Sequence, residues 1–200
     1  MNNNLDAIKV TQKSGLEHFL YNSNELESSL LSFWQWSGSD LVNNALRGVL
    51  AEYIVALAVG VCDEVRIEWD AYDVKTSSGT KVEVKSAAYL QSWTQKEVSN
   101  IQFNIKPTHA WDSASNTYAE EKSRQSDIYV FCLLAHMEKS TVNPLNLDQW
   151  EFYCVSTEKM NQELGPQKTL GLARLLKLNP TKTNFGELLK TIESVFENHL

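Results

Sequence analysis

A glutamate and a lysine lie two positions apart in Lys81-Val82-Glu83-Val84-Lys85, where charged and apolar residues alternate. This alternation predicts a β-strand, in which successive side chains point to opposite faces. The two charged side chains then share one face, and the two valines occupy the other. An acid beside a lysine can bind a cation, orient water or offset charge on a substrate. The alternative is an ordinary solvated strand face.

A second acid comes near this pair if the preceding residues form a hairpin. Residues 77–79, Ser-Ser-Gly, suit a three-residue loop, because glycine can take the left-handed conformation that such loops need. If Thr76 and Thr80 close the loop, Asp73 lies directly opposite Glu83. Two neighbouring acids repel each other, so this grouping costs stability unless a cation or a reaction justifies it.

A helix that precedes the hairpin carries another acid. Residues 41–59 are apolar over most of a helical circumference, as is typical of a helix packed against a sheet, and Ser39 or Asp40 can cap its start. Glu52 lies mid-helix among small apolar neighbours, where burial of an unpaired carboxylate is costly. A salt bridge, with Arg47 or at a surface position reached by a long side chain, is one solution. Considered together with the hairpin, a third ligand for the same cation is the better interpretation.

The strand before the hairpin decides which aspartate joins these acids. Residues 65–69, Val-Arg-Ile-Glu-Trp, alternate as a strand does. Asp73 has the parity of the apolar residues of this segment, whereas Asp70 has the other parity and is predicted to be exposed. A bulge would exchange the two, so Asp70 is the alternative to Asp73.

A helix with an inward glutamate, followed by a hairpin with Asp and then Glu-x-Lys, resembles the PD-(D/E)xK nuclease superfamily. In this resemblance Asp73 matches the Asp of the motif, Glu83 its D/E and Lys85 its Lys, and Glu52 matches the helical Glu of many members. Tyr72 stands where the family often has proline. The segment EVKSAAYLQSW is also similar to uncharacterised bacterial members of the superfamily.

The resemblance covers about residues 40–155 and implies a restriction-endonuclease-like fold. It implies a Mg²⁺-dependent nuclease that hydrolyses phosphodiester bonds in nucleic acid, most naturally DNA. Lys85 would act either as a base or as an electrostatic stabiliser. The alternatives are a catalytically inactive binding module of the same fold, for nucleic acid or protein, and a structural protein whose acids form salt bridges.

The implied cofactor is Mg²⁺, and Mn²⁺ is expected to substitute for it. Its ligands would be the carboxylates of Glu52, Asp73 and Glu83 and the backbone carbonyl of Val84, because hard oxygen ligands suit this ion. Asp73, Glu83 and Lys85 are the predicted catalytic residues.

Three further residues are candidates for substrate contacts. Gln91 lies in a polar and aromatic stretch after the hairpin. Arg124 could bind a phosphate or complement a helix dipole. Lys168 begins a basic run without acids, which suits contact with a nucleic-acid backbone. A solvated segment that packs its leucines inward is the alternative for this run.

The remaining patterns predict one α/β domain of residues 1–200, with a mixed central sheet of about five strands flanked by helices. Core packing is predicted for the aromatic residues 33–36, with stacking on bases as the alternative, and the start of a strand for Asp127, which could alternatively join the acidic site. The other predicted elements are a loosely helical segment at 16–31, a third strand at 101–105, a crossover of loop and helix at 109–125, strands at 128–135 and 150–155, a turn at 143–146, a helix from 157, and an amphipathic helix at 185–200 that caps the sheet or makes a homodimer contact.

Composition limits the classes of protein. A net charge of −7 argues against a non-specific DNA coat protein, although acidic cation sites push the charge the same way. Three widely spaced cysteines without metal-ligand spacing indicate free, buried thiols in a reducing compartment. Neither a secretory signal nor an apolar run long enough for a bilayer is present, so we expect a cytoplasmic protein without a membrane partner.

Overall fold

The computed structural model describes residues 8–66, 71–112 and 117–198. These residues fall into two units: one contains the described residues up to Ser39 together with Asp63–Arg66, and the other contains Asp40–Cys62 and the described remainder of the chain. That both units belong to one domain stays a prediction. Of the predicted strand at 65–69, Val65 and Arg66 lie outside regular structure, and residues 67–70 lie outside the described residues.

The elements are as follows, in chain order: β1 (His18–Tyr21), β2 (Asn24–Ser29), α1 (Leu30–Gly38), α2 (Asn44–Ala58), β3 (Val74–Lys75), β4 (Lys81–Ala88), β5 (Gln102–Asn104), β6 (Thr108–Asp112), β7 (Thr117–Ser123), β8 (Ile128–Leu134), β9 (Trp150–Ser156), α3 (Thr157–Leu164), β10 (Thr169–Gly171), α4 (Leu172–Lys177), β11 (Thr181–Thr183) and α5 (Leu188–Glu197). Short 3₁₀ turns occupy Leu147–Gln149 and Phe185–Glu187.

A five-stranded mixed sheet forms the centre of the larger unit, in the order β11-β9-β8-β4-β3. Strands β4 and β8 are parallel and the other pairs are antiparallel. The prediction of an α/β chain with a mixed sheet of about five strands is therefore confirmed. Strand β5 was predicted as the third strand of this sheet, which is wrong, because it pairs with β10 in a separate two-stranded sheet.

Apolar side chains cover both faces of the central sheet. Helices α2 and α5 pack on one face, where they bury Val82 and Val84 of β4 with alternate residues of β8 and β9. Strands β5 and β10 with helices α3 and α4 cover the other face, where Phe131 of β8 is fully buried. Helix α5 thus caps the sheet, as one of its two predicted roles requires. Burial on both faces is why β8 consists of apolar residues throughout.

The predicted helix at 16–31 is wrong. The segment contains the antiparallel hairpin of β1 and β2. Asn22 and Ser23 form its turn with φ values of 49° and 64°. Two successive left-handed residues match the right-handed twist of a two-residue hairpin, and asparagine tolerates this conformation better than most residues. The residues that interrupted the helical spacing are therefore the turn itself.

The predicted core packing of the aromatic residues 33–36 is also wrong. They lie on α1, which contains no buried residue. Trp36 is 84% exposed, and Phe33 and Trp34 are more than 40% exposed.

The predicted crossover at 109–125 contains no helix among its described residues. It forms the antiparallel hairpin of β6 and β7, and residues 113–116 lie outside the described chain. A ring nitrogen of His109 lies 2.8 Å from the carbonyl oxygen of Ala119 across this hairpin.

Most of the elements predicted for the second half of the chain are confirmed. Strands β8 and β9, the turn at 143–146 and helix α3 form where predicted, and the Asn146 N–H donates to the Asn143 carbonyl within the turn. All three cysteines are free; Cys132 and Cys154 are buried, whereas Cys62 is half-buried. No helix in the described part of the chain is long and apolar enough to cross a membrane.

Candidate active site

The hairpin of β3 and β4 has the predicted register. Val74 pairs with Val82, so Asp73, which directly precedes β3, lies opposite Glu83 of β4. The Thr76 N–H donates to the Thr80 carbonyl at 3.0 Å, which closes the loop as predicted. Gly79 in the loop has a φ of 95°, a conformation that strongly favours glycine. The closed loop holds the two strands in a single register.

Asp73 lies at the edge of the central sheet, just before β3 begins. Its N–H donates to the Val82 carbonyl at 3.1 Å. One carboxylate oxygen, Oδ2, accepts the Val84 N–H at 2.7 Å, which is a short, charge-assisted hydrogen bond. Because the N–H and C=O of one strand residue leave the same side of the strand, the Val84 carbonyl also points to this edge. Backbone hydrogen bonds therefore fix the Asp73 carboxylate opposite Glu83.

Glu83 and Lys85 share the face predicted for them. The Lys85 ammonium donates to Glu83 Oε1 at 2.5 Å, and about a quarter of each side chain is exposed. The Ser126 hydroxyl donates to Glu83 Oε2 at 3.2 Å. Both oxygens of Glu83 are thus engaged, and the site stays open to solvent on this face.

Electrostatics bind these groups into one cluster around Asp73. Its pKa is raised from 3.8 to about 6, first by burial and then by the negative charge of Glu83. The Lys85 charge and the Val84 N–H act in the opposite direction, and the charge of Glu52 adds a further increase. The half-buried Glu52 on α2 thus acts on the Asp73 carboxylate through its charge, whereas Glu83 lies opposite Asp73 in the hairpin and Lys85 pairs with Glu83.

Helix α2 is anchored differently from the prediction. Neither Ser39 nor Asp40 caps it; the Asn43 side chain does, by accepting the N–H groups of residues 45 and 46. The buried Arg47 guanidinium donates to the Ser86 hydroxyl of β4 and to the Val42 carbonyl. These bonds fasten the helix to the strand that carries the candidate catalytic pair.

Two site residues were missed at the level of sequence. Ser126 lies two residues before β8, and Tyr129 lies near the start of β8, whose parallel pairing places it directly beside Glu83. Burial and the negative charges of Glu83 and Asp73 raise the pKa of the Tyr129 phenol. No local signal marks either residue, because only the pairing of β4 with β8 brings them to the site.

Oxygen atoms dominate the possible metal ligands. The carboxylates of Asp73, Glu83 and Glu52 and the Val84 carbonyl are the donor types that Mg²⁺ prefers. No three His, Cys, Asp or Glu side chains of the described residues form a ready-made metal site. The two oxygens of Glu83 are held by the Lys85 ammonium and the Ser126 hydroxyl. A cation would have to take over one of these oxygens from the ammonium.

Arg124 and Gln91 are held by the protein itself. The buried Arg124 guanidinium donates to the Asn161 side chain at 2.7 Å and to the carbonyls of Gly165 and Gln167, so it fastens the end of α3. The buried Gln91 amide donates to the Ser99 hydroxyl at 3.1 Å. Neither arrangement favours a contact with substrate.

The basic run after α3 buries some of its leucines and keeps its charged side chains at the surface. Leu170 and Leu175 are fully buried. Arg174 pairs with Glu163 at 3.3 Å, whereas Lys168 is exposed. Lys168 is therefore the one of the three substrate-contact candidates that presents its charge to solvent.

The remaining acids fall outside the cluster or outside the described chain. Asp127 accepts the Lys81 N–H at 2.8 Å and directly precedes β8, close to the favoured prediction that it starts this strand. Asp70, the alternative to Asp73, lies outside the described residues.

One comparison with known proteins gives a match. The family model for bacteriophage T4 endonuclease IV matches residues 7–173, which is well over half of the chain. The matched segment contains Glu52, Asp73, Glu83 and Lys85. No curated protein and no solved structure matches the chain significantly.

Proposed function

The chain belongs to the bacteriophage T4 endonuclease IV family, and from this premise we propose that it hydrolyses phosphodiester bonds in DNA with the help of Mg²⁺. The observation that carries the proposal is the desolvated Asp73 carboxylate, faced by Glu83, Glu52 and Lys85. Such a repulsive group is unfavourable for stability, and strongly perturbed acids of this kind concentrate at functional sites.

We further propose that the chain is a PD-(D/E)xK nuclease of the restriction-endonuclease-like fold. Three features support this: the Asp73 and Glu83-x-Lys85 pattern on one hairpin, the glutamate on the helix before it, and the mixed sheet whose edge carries the site. Because a fold hosts many functions, the activity is argued from these side chains.

The residues fit a divalent cation by their chemistry. Glu52, Asp73, Glu83 and the Val84 carbonyl would hold Mg²⁺, with Mn²⁺ as a substitute. A bound Mg²⁺ supplies Lewis-acid activation of the phosphate and lowers the pKa of a bound water. Ionised Asp73 is the form that binds a cation, so apparent metal affinity falls as the pH drops through about 6.

Lys85 has a defined task in this proposal. Its ammonium lies against Glu83 Oε1, and it is free to turn toward a phosphate once that carboxylate binds a cation. There it orients the attacking water or offsets negative charge that develops on the phosphate. Val84 N–H and Ser126 hold Asp73 and Glu83 in position meanwhile. The exposed Lys168 is proposed to contact the DNA backbone.

The direct test is a cleavage assay with plasmid and single-stranded DNA in Mg²⁺, in Mn²⁺ and in EDTA. Lys85→Ala is expected to lower the cleavage rate about 10²-fold or more, the scale of losing a transition-state charge partner. Lys75→Ala is the matched control, because this exposed lysine lies on the same hairpin and outside the acidic cluster. Equal cleavage by wild type and Lys85→Ala would indicate a contaminating nuclease and would contradict the proposal.

A further inference from the structure

Exposed apolar side chains are concentrated on the N-terminal arm, which we define as the hairpin β1–β2 and helix α1, residues 18–38. Helix α1 contains no buried residue at all. The large apolar residues that the arm exposes are Phe19, Leu20, Tyr21, Leu26, Leu31, Phe33, Trp34 and Trp36. So many exposed large apolar side chains on one short segment indicate an interaction surface in a folded protein.

The arm has its own ordered framework. The Leu30 and Leu31 N–H groups at the start of α1 donate to the carbonyls of Glu17 and Gly15, each at 2.8 Å. Gly15 lies against the Trp34 ring so closely that a Cβ atom there would meet it at 3.0 Å. The helix is thus fastened to the segment before β1, and its outward aromatic rings belong to a defined local structure.

The exposed apolar area of the arm is comparable in scale with one side of a protein interface. The five aromatic residues of the arm are between 42% and 84% exposed. Since an aromatic side chain buries roughly 150–250 Å², they leave on the order of 500 Å² available. The three exposed leucines add to this area. The total approaches the roughly 800 Å² that each partner contributes to a standard interface.

The charge of this region selects among possible occupants. Residues 8–39 contain two lysines and three glutamates, so they offer no basic surface. Stacking of bases on aromatic rings is accompanied by a positive groove in proteins that bind single strands, and anionic lipid surfaces attract basic segments. An apolar protein surface of low charge is the occupant that fits.

The backbone of the arm favours a second copy of the same chain. Within the described residues β1 and β2 pair only with each other. A two-stranded sheet without a covering layer is marginally stable in water, and its open edges are ready to pair. A strand edge is complementary to itself when two copies meet antiparallel about a twofold axis. We propose that the N-terminal arm is a homodimerisation surface, on which the open strand edges and the exposed aromatic rings of two arms meet.

Sedimentation velocity of the full chain over a wide concentration range tests this inference. The wild type is expected to reach twice 22.7 kDa, and Trp36→Lys is expected to remain at the monomer mass at every concentration. Tyr21→Lys is a second variant on the other side of the arm, in the hairpin. Leu145→Lys is the matched control, because this exposed apolar residue lies in the other unit. Circular dichroism spectra and thermal transitions establish that each variant folds.

Every outcome of these measurements either supports or overturns the proposed homodimer. A dimeric wild type and control with monomeric Trp36→Lys and Tyr21→Lys supports the proposal. A monomeric wild type at all concentrations overturns it, as does a dimer that both arm variants preserve. Weaker oligonucleotide binding by Trp36→Lys without any change in mass would assign the rings to base stacking and also overturn it. The sedimentation measurement needs neither DNA nor metal, so its failure is separate from a failure of the proposed nuclease activity.

Discussion

The sheet edge at Asp73 buries charge, whereas the N-terminal arm exposes aromatic rings. Both arrangements oppose the usual partition of a folded chain, in which charged groups are solvated and large apolar groups are covered. At the edge, the charges of two further acids raise the pKa of the desolvated Asp73, and the charge of one lysine lowers it. On the arm, Trp36 is 84% exposed on a helix without a buried residue. Each arrangement lowers the stability of the isolated chain. A cation would offset the negative charge at the edge, and an apolar surface would cover the rings of the arm.

Removing one aromatic side chain from the core and one from the arm is expected to change the free energy of unfolding by very different amounts. Phe131→Ala empties a fully buried site in the central sheet and is expected to cost about 3–5 kcal/mol of unfolding free energy. Trp36→Ala removes a larger ring and is expected to change it by less than about 0.5 kcal/mol. Urea titrations at low concentration, where the chain is monomeric, measure both. A large loss for Trp36→Ala would mean that its ring is covered within one chain.

Asp73→Asn tests whether the charge of Asp73 lowers the stability of the folded chain and at the same time binds a cation. The amide oxygen can still accept the Val84 N–H, while the repulsion from Glu83 and Glu52 disappears. A rise of the pKa from 3.8 to about 6 corresponds to about 3 kcal/mol against the ionised form. We expect the variant to be about 1–3 kcal/mol more stable than wild type at pH 8 without divalent cations, and to lose Mn²⁺ binding in calorimetry.

Asp127→Asn is the control for this prediction, because its carboxylate accepts the Lys81 N–H outside the acidic cluster. It is expected to retain Mn²⁺ binding and to gain no stability. Mn²⁺ binding by Asp73→Asn at wild-type affinity would remove Asp73 from the ligand set.

The pH dependence follows from the same group. Asp73 has a higher pKa in the folded chain, about 6, than in the unfolded chain, where 3.8 is the ordinary value. The folded state therefore binds more protons between these values, and this contribution to stability is present below pH 4 and is lost as the pH rises through 6. Chemical denaturation of wild type and Asp73→Asn from pH 4 to 8, in EDTA, is expected to show a difference that grows over this window. A constant difference would contradict the assignment.

Two glycines give the smallest of these contrasts. Gly79→Ala places a side chain at a φ of 95° in the loop that sets the register of Asp73, and it is expected to cost about 1 kcal/mol. Gly38→Ala, at the end of α1, meets no atom within 4 Å and is expected to be nearly neutral. Thermal unfolding compares the two variants. A neutral Gly79→Ala would show that the loop is free to relax.

Local patterns were reliable where one residue type had one physical solution. A glycine in a three-residue loop between two threonines fixed the register of the β3–β4 hairpin, so the position of Asp73 opposite Glu83 followed from counting. The fully apolar run of β8 and the amphipathic α5 were equally readable. Local patterns failed where two periods were both compatible, as at residues 16–31, where leucines at helical spacing surround an Asn-Ser turn.

The sequence by itself determined the acidic hairpin, the helix that carries Glu52 and the main strands, because alternation, loop chemistry and helical periodicity are local properties. Only the tertiary structure decided that Ser126 and Tyr129 join the site, that Arg124 is held by carbonyls near the end of α3, and that β5 leaves the central sheet. These outcomes depend on which strands pair and which backbone groups need donors. Contacts between residues about forty to seventy positions apart leave no periodic signal in the chain.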